Sequence, residues 1–223
     1  MYNTYMSVRK IKKSYISSTG HFKSYKNDKQ IAYESILERD FYMTLEFDDE
    51  VLSYEEQPLR INYEYKNGIS YRYTPDCLVT YHDNTQKYFE VKYANNIRDD
   101  IELKEKLDFL IAYFSEQINI DLEIATDEDI DSIYLDNLNF LYNFAYLQED
   151  EEKYSHIENT LENLNDDITV EQLLLQLSNN KMEQLQYLPY VWNYLFINTY
   201  LIDLDEKITN KVVIKTGSDT WEK

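Results

Sequence analysis

The sequence predicts a compact α/β domain followed by a small, mostly helical, winged-helix-like C-terminal domain. Three observations predict it. Apolar residues recur at i+4 between Tyr33 and Phe47, the mark of a helix with one buried face. Short runs of β-branched and aromatic residues follow, punctuated by Gln57-Pro58, Asn67-Gly68 and His82-Asp83-Asn84. A second apolar-periodic segment then opens at Asp99-Asp100, and helical patterns dominate beyond residue 126.

Residues 1–30 hold seven Lys/Arg against one acid and lack helical periodicity, so they read as an extended basic arm. Leu37, Phe41 and Leu45 mark the first helix, over 33–47. Strands are expected at 51–54 and 59–65, and Asn67-Gly68 is a strong hairpin signal leading into a strand over 69–81, interrupted by Thr74-Pro75-Asp76. Another strand covers 87–93. The helix after it carries Leu103, Leu107, Leu110, Ile111 and Phe114 on one face, and 120–125 reads as a short buried strand. Helix, strands, helix and strand make a unit spanning 31–128.

Residues 129–168 read as a further helix, within 127–147, and an acidic linker, the charge run 148–153. In 169–223, Thr169-Val170-Glu171-Gln172 fits a capping box, a short helix runs over 181–188, and Pro189 can begin another. Segments 200–204 and 211–215 could pair as a hairpin, which gives the winged-helix outline. The would-be reading helix, 190–198, holds no Lys or Arg, so docking suits this domain better than direct DNA reading.

Composition sets limits. In 223 residues, 43% hydrophobic and 29% charged content exclude wholesale disorder. No run of about 18 apolar residues occurs, and no secretory signal opens the chain. Cys77 is the one cysteine, which fits a reducing cytoplasm. A net charge of −20 argues against the whole surface gripping a polyanion, but the charge is uneven. Residues 121–210 hold 20 acids and three basic residues, so any DNA grip lies elsewhere.

The chemistry sits in Pro75-Asp76, 13 intervening residues, then Glu90-Val91-Lys92. Side chains alternate along a strand, so Glu90 and Lys92 face the same way. If the Asp76 strand lies beside them, two carboxylates and an ammonium converge. Phosphodiester hydrolysis needs a hard cation on oxygen ligands, a nucleophilic water and relief of charge at the leaving oxygen. Asp76 and Glu90 supply such oxygens, and Lys92 can orient the water or offset transition-state charge. Glu34 and Glu38, at i and i+4 on the first helix, offer a further ligand. Arg9, Lys10, Lys12 and Lys13 on the arm are candidate DNA contacts, as is Lys104. Lys106 on the same helix could equally touch phosphate or simply be solvated.

Weaker candidates read as structural. Cys77 reads as a small buried residue, and His21, His82 and His156 lack metal-ligand spacing. Gln57 could position a backbone or fill a buried turn. Trp192, Tyr194 and Phe196 read as core rather than a base-stacking platform.

The combination Tyr33-Glu34-Ser35-Ile36-Leu37-Glu38, Leu45-Glu46-Phe47-Asp48, Tyr54-Glu55-Glu56-Gln57-Pro58, Tyr73-Thr74-Pro75-Asp76, Glu90-Val91-Lys92 and Ala125-Thr126-Asp127 resembles the TnsA endonucleases of heteromeric cut-and-paste transposases. The likeness covers roughly residues 8–128, including the basic lead-in around Gly20-His21-Phe22. It implies a PD-(D/E)xK, restriction-endonuclease-like core, a mixed sheet flanked by helices, with a winged-helix-like C-terminal domain. It maps the catalytic set onto Glu38, Asp76, Glu90 and Lys92, with Glu38, Asp76 and Glu90 binding Mg²⁺, for which Mn²⁺ would substitute. It also implies double-stranded DNA at transposon ends as substrate, cleavage of the non-transferred strand at the 5′ ends, a TnsB-like transposase partner, and a TnsC-like AAA+ ATPase bound through the C-terminal region. Tyr93 departs from the proline frequent in the family, as does the acidity of residues 121–210. Two other readings stay open: a stand-alone phage or defence-system nuclease with this core, and a non-catalytic acidic assembly or DNA-mimicking protein.

Overall fold

The computed structural model describes residues 18–216, so Arg9, Lys10, Lys12 and Lys13 lie outside the described residues. The described residues divide into two compact units, which part between Ile130 and Asp131.

In the first unit, β1 (Gly20–Ser24) and β2 (Lys29–Tyr33) form an antiparallel hairpin. This differs from the arm expected through residue 30. Its polar sequence has no strong strand pattern, yet Ile31 is fully buried and Phe22 packs on the core, so tertiary burial fixes the hairpin. Helix α1 (Ile36–Phe47) follows, capped by Ser35. Then come β3 (Val51–Glu56), β4 (Ile61–Tyr65), β5 (Ile69–Tyr73), β6 (Cys77–Tyr81) and β7 (Gln86–Val91). The β4–β5 hairpin closes through Lys66, Asn67 and Gly68, all at positive φ, a conformation glycine and asparagine adopt most cheaply.

Next are a short helix not foreseen in the sequence, α2 (Ala94–Asp99), then α3 (Ile101–Tyr113), a π-helical turn over Phe114–Ile118, and β8 (Leu122–Ala125). The central sheet has the order β3-β6-β7-β8. The first three strands are antiparallel, while β7 and β8 run parallel, joined by the crossover through α2 and α3. The result is a mixed sheet with α1 and α3 on its opposite faces. On one face Leu37, Phe41, Tyr42 and Leu45 of α1 pack on Val51, Tyr54, Cys77, Val79 and Val91. On the other, Leu110 of α3 and the adjoining Phe114 pack with Tyr88, Leu122 and the inner side of the β4–β5 hairpin. This is the restriction-endonuclease-like arrangement expected.

The second unit is mostly helical: α4 (Ser132–Tyr142), α5 (Glu151–Glu162), β9 (Ile168–Thr169), α6 (Val170–Leu177), α7 (Lys181–Ile197) and β10 (Val213–Ile214). The acidic run expected as a linker instead supplies the N-cap Asp150 and first turn of α5, where acids suit the helix dipole. The capping box at Thr169 and Gln172 forms as expected. Pro189 does not begin a helix but lies inside α7. An interior proline costs roughly 3 kcal/mol, offset here by the buried run Val191–Phe196. The hairpin expected between 200–204 and 211–215 is replaced: β10 pairs with β9, and Thr199–Leu201 is a 3₁₀ turn. No helix among the described residues is long and apolar enough to cross a membrane.

Candidate active site

Thr74-Pro75 breaks the chain between β5 and β6 and delivers Asp76 to the end of the central sheet. Three bonds pin its backbone: its N–H donates to Phe89 O (3.0 Å), and its carbonyl accepts from Gln57 N–H (3.0 Å) and the Tyr42 hydroxyl (2.9 Å). Gln57 is buried at positive φ, so its turn holds the aspartate in place. Cys77 pairs with Phe89, and the antiparallel register carried one residue further sets Asp76 opposite Glu90. Glu90 is buried, and Lys92, just past β7, lies on the same side, as alternation requires.

These three side chains meet. Lys92 Nζ stands 2.7 Å from Glu90 Oε1 and 3.5 Å from Asp76 Oδ2. Asp76 Oδ2 also accepts from the Val91 N–H at 2.8 Å, and Glu90 Oε2 accepts from the Tyr73 hydroxyl at 2.6 Å. They line a cleft of about 570 Å³ together with Glu38 of α1 and with Glu34, which lies in the bend before that helix and not on it as the i, i+4 spacing suggested. Arg60, Arg72 and Lys106 complete its charged wall.

Electrostatics follow from burial. Desolvation, then the Glu90 carboxylate, push the Asp76 pKa up to about 7 against the pull of Lys92. Burial alone would lower the Lys92 pKa, but Asp76 and Glu90 outweigh it and hold the ammonium above its ordinary value. Burial also raises Glu38, against bonds from the Glu34 amide and the Ser35 hydroxyl.

Glu38 therefore reaches the cleft in a second capacity. The Ser35 hydroxyl accepts from the Glu38 N–H (3.1 Å) and donates to Glu38 Oε1 (3.0 Å), while Oε2 accepts from the Glu34 N–H (2.8 Å). Its carboxylate braces the chain entering α1, whose N-cap is Ser35. Among the described residues no group of three or more His, Cys, Asp or Glu side chains is set to hold a metal ion. Asp76 and Glu90 nonetheless form a recessed hard-oxygen pair, ion-paired among the described residues with Lys92, which suits a divalent cation in donor type and charge.

Lys104, the candidate contact on α3, is exposed and does not line the cleft; Lys106, half-buried, does. Cys77 is fully buried with its thiol pKa raised by that burial, and Trp192, Tyr194 and Phe196 are core. His21, His82 and His156 are exposed. Sequence reasoning missed Tyr73, Arg60 and Arg72. Tyr73 adjoins Thr74-Pro75-Asp76 on a strand, a signal that would have flagged it. The arginines carried none.

Two family models match this chain in tandem. The TnsA-like endonuclease N-terminal model matches residues 48–127, and the TnsA endonuclease C-terminal model matches 129–204. The chain belongs to the TnsA endonuclease family. It is a nuclease subunit of a transposase, with DNA as substrate and other transposase proteins as partners. Endonucleases with the TnsA core type generally use divalent metal ions. Asp76, Glu90 and Lys92 fall inside the N-terminal match, and Glu38 precedes it. No curated protein sequence matches the chain.

Proposed function

We propose that this TnsA nuclease cuts the non-transferred strand at the 5′ ends of its element with Mg²⁺, Mn²⁺ substituting. Asp76 and Glu90 hold the cation and Glu38 completes the set. The observation that carries this reading is the Lys92 ammonium seated between Asp76 and Glu90 in an open cleft, 2.7 Å from the nearer carboxylate. A bound divalent cation supplies Lewis-acid activation of the phosphodiester and its attacking water. Lys92 then faces the scissile phosphate and stabilises charge as the bond breaks. The Val91 amide and Tyr73 hydroxyl hold the two carboxylates in position, and the walls of the cleft orient the strand.

A TnsB-like transposase cuts and joins the other strand in this reading, and a TnsC-like AAA+ ATPase docks on the C-terminal unit. The basic residues Arg9, Lys10, Lys12 and Lys13 add DNA contacts, and the complex works in the cytoplasm. With a net charge of −20, the subunit alone binds DNA weakly and relies on these partners.

Nicking of end-containing DNA, with partner proteins and Mg²⁺, tests the assignment. Asp76→Ala and Lys92→Ala should abolish strand cleavage while circular dichroism stays native. Efficient nicking by Asp76→Ala would refute it. A metal titration separates the roles: saturable Mn²⁺ binding by the native chain should disappear in Asp76→Asn.

A further inference from the structure

We propose that Arg60, Arg72 and Lys106 form a phosphate-binding wall that grips the backbone of duplex DNA beside the carboxylates. This rests on the nuclease reading of the cleft. In a chain with 42 acids and 22 basic residues, some cations outside the cleft are held by a carboxylate, while Lys104, Lys181, Lys207, Lys211 and Lys215 form no ion pair among the described residues. Lys66 pairs with Glu105, Lys87 with Glu123 and Arg98 with Glu128, each within 2.9 Å. Arg60, Arg72 and Lys106 form no ion pair among the described residues, although all three line a cleft that also holds four acids.

Their placement explains why. Arg72 lies on β5 opposite Asn62 of β4, and Arg60 is two residues before Asn62. Both arginines therefore leave the same face of the hairpin, at a diagonal spacing of roughly 7–8 Å. Both are exposed, whereas Asp76 and Glu90 lie recessed at the sheet end. Lys106 enters from α3. A polyanion approaching the cleft meets cations first and carboxylates last. Guanidinium groups suit this task because their planar fork donates two bonds to one phosphate. The wall also accounts for how so acidic a subunit admits DNA to its cleft.

The test uses the full chain in EDTA and a short labelled duplex of arbitrary sequence, titrated by fluorescence anisotropy over a series of KCl concentrations. Arg60→Ala/Arg72→Ala should weaken binding roughly tenfold at fixed salt and lower the log–log salt slope by about 2, and Lys106→Ala should lower it by about 1. Lys66→Ala/Lys87→Ala removes as much charge elsewhere and should leave the slope as it was. Arg60→Lys/Arg72→Lys should keep most of the slope, separating lost charge from lost folding. Absence of duplex binding by the native chain at every salt overturns the proposal. So does an unchanged slope in the double alanine variant, or an equal fall in the remote control. If the slopes fall as expected but no divalent cation supports nicking, the wall stands and the nuclease reading fails. If the chain nicks DNA but its duplex binding is indifferent to the arginines, the nuclease reading stands and the wall fails.

Discussion

The Tyr73 hydroxyl donates a 2.6 Å hydrogen bond to Glu90 Oε2, leaving Oε1 to Lys92 at 2.7 Å. Both oxygens of this buried carboxylate are thereby oriented. Tyr73 is itself held by edge-on packing against Phe114, with ring centroids 5.9 Å apart. Because Tyr73 belongs to the β4–β5 hairpin and Glu90 to the central sheet, one bond ties the cationic wall to the carboxylate pair. Burial, then the neighbouring Glu90 charge, raise the tyrosine pKa, so its hydroxyl remains a donor across the working pH range.

Tyr73→Phe keeps the ring and deletes that donor. Partners of metal-ligating groups typically carry about 10–100-fold in metal affinity or activity. We expect half-maximal nicking to need about tenfold more Mg²⁺, with a smaller loss at saturating metal. Stability should fall by about 1–3 kcal/mol. An Mg²⁺ profile superimposable on that of the native chain would remove Tyr73 from the site.

Glu38 has two roles to separate, brace of the turn into α1 and ligand. Glu38→Gln retains an oxygen for the Glu34 amide and a donor for the Ser35 hydroxyl, so it should cost no more than about 0.5 kcal/mol of stability. Glu38→Ala leaves the Ser35 cap but loses both carboxylate bonds, and should cost about 1–2 kcal/mol. Nicking should drop about 100-fold in both if the carboxylate serves the cation. Full activity in Glu38→Gln would leave it a structural brace alone.

Much of this architecture is written locally. Leu37, Phe41 and Leu45 at i+4 specify α1, and the alternation of Glu90 and Lys92 places both on one face. The β1–β2 hairpin is not legible, since its polar strands are held by burial of Ile31 and by Glu46 from a distant helix turn. Strands β9 and β10 are two residues each and pair across more than 40 positions, too short for a pattern to specify a register. At the site, Asp76, Glu90 and Lys92 follow from spacing and strand alternation. Arg60 and Arg72 become visible only when the β4–β5 hairpin is seen beside the central sheet, a tertiary relationship that strand periodicity does not encode.

Glu46 shows how that hairpin at the chain's start is secured. Its Oε2 accepts from the Tyr25 N–H (2.9 Å) and the Lys26 N–H (3.0 Å), while the Ser24 and Tyr54 hydroxyls donate to Oε1. Glu46→Ala leaves the buried Ser24 hydroxyl without this acceptor and should cost about 2–3 kcal/mol. Amide exchange should accelerate most in residues 20–33. Exchange there no faster than in the β7–β8 ladder would show that the hairpin is held by other means.

The carboxylate pair also sets a pH dependence. Asp76 has a folded-state pKa of about 7 against an ordinary 3.8, chiefly from burial and secondly from Glu90. The folded chain thus binds this proton more tightly than the unfolded chain does. Its contribution is fully present below about pH 4 and is lost as pH rises to about 7. Glu38, also raised by burial, acts in the same direction. Lys92 lies above its ordinary 10.5, so its contribution is constant across this window and disappears only at higher pH. We therefore expect the metal-free protein to be more stable at pH 5 than at pH 7.5, with Asp76 contributing about 1–3 kcal/mol of the change once coupling to its neighbours is allowed for. Asp76→Asn should flatten that slope. A divalent cation needs the carboxylate deprotonated, so stabilisation by Mg²⁺ should grow over the same interval. Thermal unfolding of both chains in EDTA and in Mg²⁺ checks this. A native-minus-variant difference that does not vary with pH would mean that Asp76 is ionised throughout, and that the Lys92 charge already outweighs burial and Glu90 in the absence of metal.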